Sequence, residues 1–207
     1  MGYRRFFSVV VVAAMLGVSG CGGSGSSALP DLEFMQFPDP ADSPYCLPYP
    51  TGKHARVSQA WGDTGTHRGR FAIDFTMPFG AEITASRDGR VVEMRDQYND
   101  DDRTGGHENG VFVLHDDGTM ASYLHMSENG VFVTVGDEVE TGQVIGLVGT
   151  TGTSVPHLHF EVFEGQGDGT QWYRTVPVSF ANAHEPLDNW GGLYTVSYES
   201  LPCTHRT

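Results

Sequence analysis

The stretch VPHLHFEV, residues 155–162, decides how this chain is read. Side chains of a β-strand alternate between two faces, so His157, His159 and Glu161 share one side and Leu158, Phe160 and Val162 the other. The apolar side is the core side. Two imidazoles on the opposite face are either a solvent-exposed pair or part of a metal or proton-transfer site, and this strand alone leaves both readings open.

Outward from it, short β-rich runs recur between turn signals. AEITA is followed by RDG and RVVEMR, VFVLH by DDG and TMASYLHM, and VFVTV by GDEVETG and QVIGLVG. No long amphipathic helical segment interrupts them. The expected fold is a mainly antiparallel β-sandwich, with few or no helices apart from the N-terminal leader. It occupies residues 46–203, with the core motifs in 47–164. A chain of 207 residues has room for one such domain plus a leader and a linker. ENGVFV occurs at Glu108 and again at Glu128, and reads as two similar entries from turn into strand rather than as a repeat. The acidic NDDDRTGGHENG, residues 99–110, reads as a solvated loop, and its spacing does not match a calcium loop.

The chain opens MGYRRFFSVVVVAAMLGVSGC. Arg4 and Arg5 precede an apolar run too short for a comfortable membrane span, and small residues precede Cys21, the pattern of a cleaved secretion signal over residues 1–20. VSGC also resembles the lipobox of bacterial lipoproteins. That resemblance implies lipidation of Cys21 and anchoring in the cell envelope, at the outer membrane if the host has two; an ordinary signal peptide followed by an incidental cysteine is the alternative. Residues 21–45 read as a lipidated Cys and flexible tether, rich in Gly, Ser, Pro and Asp, of which the roughly 20 residues from Gly22 to about Ser43 span about 25 Å on average. Inside that tether, LEFMQF is apolar enough to lie across a groove. Residues 204–207 form a short tail.

The net charge is −14, and removing residues 1–20 takes away two arginines and no acid. So acidic a chain does not seek nucleic acid by charge, and a monomer is expected. Cys46 and Cys203 stand at the two ends of the domain in an exported chain, where disulfides persist, so they are expected to pair; two free thiols are the alternative.

A hydrolytic zinc site needs about three His or carboxylate ligands and a position left for water. In GTHRGRFAIDF, His67 follows a Gly-containing turn, and Asp74 sits in an apolar run where a lone carboxylate is costly unless a cation pairs with it. A turn histidine and an Asp bonded to backbone amides is the plainer reading. His125, in ASYLHM, falls by strand alternation on the face of Tyr123 and Ala121. There is no HExxH helix, so the helical zinc proteases are not indicated. His54, His107, His115, His184 and His205 have no partner spacing that compels a role, although His107 lies on the acidic loop within reach of a substrate.

Taken in order, HRGRFAID, SYLHM and PHLHFEV, with MPFGAEITASRDGRVVEM and VGDEVETGQVIGLVGTTG between them, resemble the LytM and lysostaphin-type zinc metallopeptidases, which cleave peptides of bacterial peptidoglycan. The resemblance implies one zinc ion held by His67, Asp74 and His159. It implies that His125 and His157 flank the attacking water and handle protons. The function implied is a zinc endopeptidase acting on stem-peptide cross-links or bridges; the alternative is a non-catalytic regulator of other wall hydrolases. Glu161 shares the strand face without an assigned role.

Two features depart from the usual pattern. His67 and Asp74 are seven residues apart rather than four, a spacing seen in a subgroup, and Val155 replaces a small residue before the Pro. VGDEVETGQVIG also resembles a turn of biotinyl and lipoyl carrier domains, but no modifiable Lys follows it.

Overall fold

The computed structural model describes residues 37–61, 65–165, 172–184, 193 and 195–204. The leader, Cys21 and His205 lie outside them. Among the described residues the structure is β throughout, apart from a 3-10 turn at Pro40–Asp42 capped by the Asp39 carboxylate.

The strands are β1 (His54–Gln59), β2 (Ala72–Thr76), β3 (Glu82–Thr84), β4 (Gly89–Arg95), β5 (Asn109–Leu114), β6 (Thr119–Val131), β7 (Glu138–Val139), β8 (Val144–Val148), β9 (His157–Gly165), β10 (Trp172–Thr175) and β11 (Ser197–Glu199). They pair antiparallel in the order β11-β1-β2-β9-β6-β5-β4-β7, with β10 beside β9 and β8 joining β3 to β6. β9 lies centrally, between β2 and β6. Phe160 stands opposite Ile73 on one side and Tyr123 on the other, and Leu158, Phe160 and Val162 are fully buried. This is the alternation expected of HLHFEV.

The long β6 connects the β5 and β9 ladders to the β3–β8 pair. Its first part pairs with β5 and β9, while Met126 and Val131 pair with β8. The β3–β8 pair then contributes Ile83, Ile145 and Val148 to the same core. The two ENGVFV copies have unlike roles: Asn109 opens β5, whereas Asn129 turns near the end of β6 with φ 55°.

The domain begins before residue 46. Residues 37–45, assigned to the tether by composition, are packed: Phe37 lies 5.2 Å from Trp61 and 6.0 Å from Phe71, and Tyr45 is buried with its carbonyl accepting from Ala181 N. Burial of these two rings outweighs the local Pro and Asp content.

A disulfide joins Cys46 to Cys203, with Cα atoms 6.0 Å apart and a sequence separation of 157. Closing so long a loop restricts the unfolded chain by about 5 kcal/mol in the chain-entropy account. Replacing Cys46 by Ser is expected to cost about 2–5 kcal/mol, read as a lower urea midpoint than that of the oxidised protein.

Candidate metal centre and catalytic groove

Asp74 on β2 stands directly opposite His159 on β9, and Thr76 opposite His157. His67 arrives from the turn before β2, where Arg70 N donates to His67 O (3.0 Å) and Gly69 takes φ 76°, the left-handed third position that a type II turn gives to glycine. Gln59 faces Thr66 N and His67 N at 3.1 and 3.0 Å, which places its amide oxygen on that side. His67 is fully buried, and its Nδ1–H donates to Ala60 O (3.2 Å). That bond leaves Nε2 unprotonated. The lone pair faces Asp74 Oδ1 at 3.2 Å without an aligned hydrogen bond, and Nε2 is a buried atom left unsatisfied.

His159 presents Nδ1 to the same oxygen at 2.9 Å, while its Nε2 lies 3.4 Å from Glu161 Oε1. Burial disfavours charge on His159, but the hydrogen bonds and charges of Asp74 and Glu161 outweigh it and raise its pKa to about 9. Burial likewise works against an ionised Asp74; the hydrogen bond from His159 and the imidazoles gathered around it hold it well below the usual carboxylate range. The pocket is therefore built to place positive charge against Asp74.

A dication fits that demand. One ligand atom each from His67, Asp74 and His159 lies within 4.8 Å of the others. Tetrahedral zinc with bonds of about 2.05 Å separates its ligand atoms by about 3.3 Å. The two separations from Asp74, 3.2 and 2.9 Å, are close to that value. An imidazole lone pair directed at a carboxylate oxygen is repulsive unless a cation lies between them, so these donors suit zinc.

His125 and His157 complete the cluster, with ring centroids 4.6 Å apart. His157 Nδ1–H donates to Val155 O (2.8 Å) and His125 Nδ1–H to Thr151 O (2.7 Å), so both turn Nε2 toward the cluster, that of His157 lying 3.7 Å from Asp74 Oδ1. Simple alternation would send His125 to the core with Tyr123, which is fully buried and accepts from Ser86 N through its hydroxyl. It does not go there. Pairing with β5 jumps from Gly110↔Leu124 to Asn109↔Met126, leaving His125 as a bulged residue at φ 66° that turns into the groove. Burial, with the adjacent His157, lowers the His125 pKa to about 4.

Gly149 N donates to His125 O, and a Cβ at Gly149 would stand 2.2 Å from Ser127 Cα. Gly149→Ala is thus expected to cost about 1–3 kcal/mol or more in urea denaturation and to displace His125.

Residues 67–171, a span holding all five of these side chains, match Peptidase family M23. The chain belongs to that family. Among curated relatives, the DD-carboxypeptidase/endopeptidase Mpg of Neisseria meningitidis serogroup B is 38% identical over 97 residues, covering 46% of this chain and 20% of that protein. The glycyl-glycine endopeptidase ALE-1 of Staphylococcus capitis is 38% identical over 117 residues, covering 55% of this chain and 26% of the relative. The peptidoglycan DD-endopeptidase ShyA of Vibrio cholerae is 40% identical over 115 residues, covering 55% and 23%. The chain thus spans a fifth to about a quarter of the length of these relatives.

In this M23 domain the cluster lies in a groove of about 850 Å³, walled by Gln59, Arg70, Glu108, Leu124 and the exposed Val155. The acidic loop is largely solvated, as expected, and is also organised by hydrogen bonds. The Asp100 carboxylate accepts from Thr150 N (2.9 Å) and Glu128 N (3.0 Å), and Asp102 O accepts from Gly152 N. These bonds hold the segment that offers Thr151 O to His125. His107 stacks on Tyr98 and contacts Asp102 at 2.7 Å, while Gly105, Gly106 and Glu108 face the groove.

His115 is buried with Nδ1–H donating to Asp88 O, and His54 and His184 are exposed. Residue reading missed the carbonyls of Ala60 and Thr151, which carry no sequence signal. It also missed Arg70, whose Nε donates to Glu161 Oε2 at 3.1 Å. An arginine three residues after a candidate ligand histidine is its only sign.

Proposed function

We propose that this M23 domain is a zinc-dependent endopeptidase that hydrolyses peptide bonds of bacterial peptidoglycan, in stem-peptide cross-links or bridges. One observation carries the reading: two imidazole nitrogens converge on the Asp74 carboxylate in a buried pocket, with two further histidines, anchored through Nδ1, facing the same groove. Zinc on His67, Asp74 and His159 supplies Lewis acidity and makes hydroxide available near neutral pH.

The chain's own residues do the rest. His125 and His157, each fixed through Nδ1 to a carbonyl, have one nitrogen left to take a proton from water and return it to the leaving amine. The burial that lowers the His125 pKa keeps it a neutral acceptor in the metal-free site. The groove walls align an extended peptide across these groups. The Mpg and ShyA names point to DD bonds and the ALE-1 name to glycyl-glycine bonds, so the reading covers both.

The same reading places the domain in the cell envelope. Residues 1–20 act as a lipoprotein signal, Cys21 carries the lipid and residues 22–36 lead to the packed domain. The Cys46–Cys203 bond supports export to an oxidising compartment. The test is to incubate the protein with sacculi of directly linked and of glycine-bridged type, then find the new termini by mass analysis. New peptide termini from at least one wall type are expected; none from either contradicts the proposal.

A further inference from the structure

We propose that Arg70 is a positioning residue for the metal centre, acting through Glu161 on His159. The inference rests on the assignment of His67, Asp74 and His159 as zinc ligands. Glu161 follows His159 by two residues on the same strand face and is 1% exposed, with Oε1 3.4 Å from His159 Nε2. A carboxylate so deeply placed needs a partner of opposite charge. Arg70 is that partner: Nε donates to Oε2 at 3.1 Å and Nη2 donates to Oε1, a bidentate fork that fixes the plane of the carboxylate. The cross-strand neighbours of Glu161 are Ala72 and Ser122, and the Ser122 hydroxyl makes no hydrogen bond. Neither anchors the carboxylate.

The consequence reaches the metal ligand. With Oε1 held 3.4 Å from His159 Nε2, the carboxylate favours a proton on that nitrogen, so Nδ1 is the nitrogen left to face Asp74. Arg70 belongs to RGRFAI, the segment that lengthens the link from His67 to Asp74. That longer link therefore carries the clamp as well as setting the spacing. The Arg70 side chain, 46% exposed, lines the groove, whereas the Glu161 side chain it grips is 1% exposed and does not.

The test measures zinc affinity by competition with a chromophoric chelator, and the visible spectrum of the cobalt-substituted protein, for wild type, Arg70→Ala, Arg70→Lys and Glu161→Gln. Arg174→Ala, which removes the exposed Arg174–Glu164 pair, is the control. Arg70→Ala and Glu161→Gln are expected to weaken zinc binding about 10–100-fold and to alter the cobalt spectrum. Arg70→Lys restores part of the affinity, because a point charge replaces the fork, and the control binds as wild type does.

Melting of the metal-free proteins checks the fold. If Arg70→Ala does not fold, the near-isosteric Glu161→Gln decides alone. Affinity within about twofold of wild type with an unchanged cobalt spectrum overturns the proposal. A wild-type protein that binds no zinc overturns the ligand assignment itself, so the two failures are told apart.

Discussion

His159→Ala is expected to remove zinc binding and peptide cleavage together, with activity falling at least about 10³-fold. His159 is the candidate ligand that the sheet fixes most firmly: it stands opposite Asp74 in register, its Nδ1 is 2.9 Å from Oδ1, and its Nε2 lies 3.4 Å from Glu161 Oε1. Alanine leaves Asp74 and Glu161 facing an emptied pocket, and two ligands hold zinc poorly. Losing the metal forfeits several kcal/mol of charge stabilisation on the scissile carbonyl, and each 1.36 kcal/mol is tenfold in rate. The assay pairs metal content by atomic spectroscopy with release of wall peptides. Full cleavage by a zinc-free His159→Ala protein would sink the assignment.

The second large effect separates holding the metal from moving protons. His125→Ala and His157→Ala are each expected to lower kcat about 10²–10⁴-fold, the usual worth of a positioned acid or base, while zinc content stays at the wild-type level. Both rings anchor Nδ1 on a backbone carbonyl, and neither belongs to the three-atom ligand set. The double variant should lose less than the product of the single losses, because two rings 4.6 Å apart act on one substrate. Loss of zinc in either single variant would move that histidine into the ligand set.

Much of this site is legible along the chain, because β9 obeys the period of two that its apolar residues announce. His157 and His159 share a face, and Leu158 and Phe160 fill the core. What periodicity could not supply is register. The pairing of Asp74 with His159 is a contact 85 residues apart in sequence, fixed by the β2–β9 ladder. His125 was placed on the wrong face for a definite reason: its left-handed φ follows from a one-residue mismatch between β5 and β6, together with the pull of Thr151 O, and neither is local to SYLHM. Phe37 and Tyr45 were hidden by Pro, Asp and Ser around them, although each ring finds a buried place on the domain. Roles for the five positions come from the resemblance to wall peptidases; alternation alone leaves His125 undistinguished.

The most direct test of the account takes one preparation of residues 22–207 and measures bound zinc and cleavage of purified sacculi, before and after treatment with a chelator and again after zinc is returned. The account predicts one zinc per chain, cleavage that disappears with the metal, and recovery when zinc is restored. Cleavage that survives complete removal of zinc, or a protein that holds one zinc per chain and cuts no wall peptide, would contradict it.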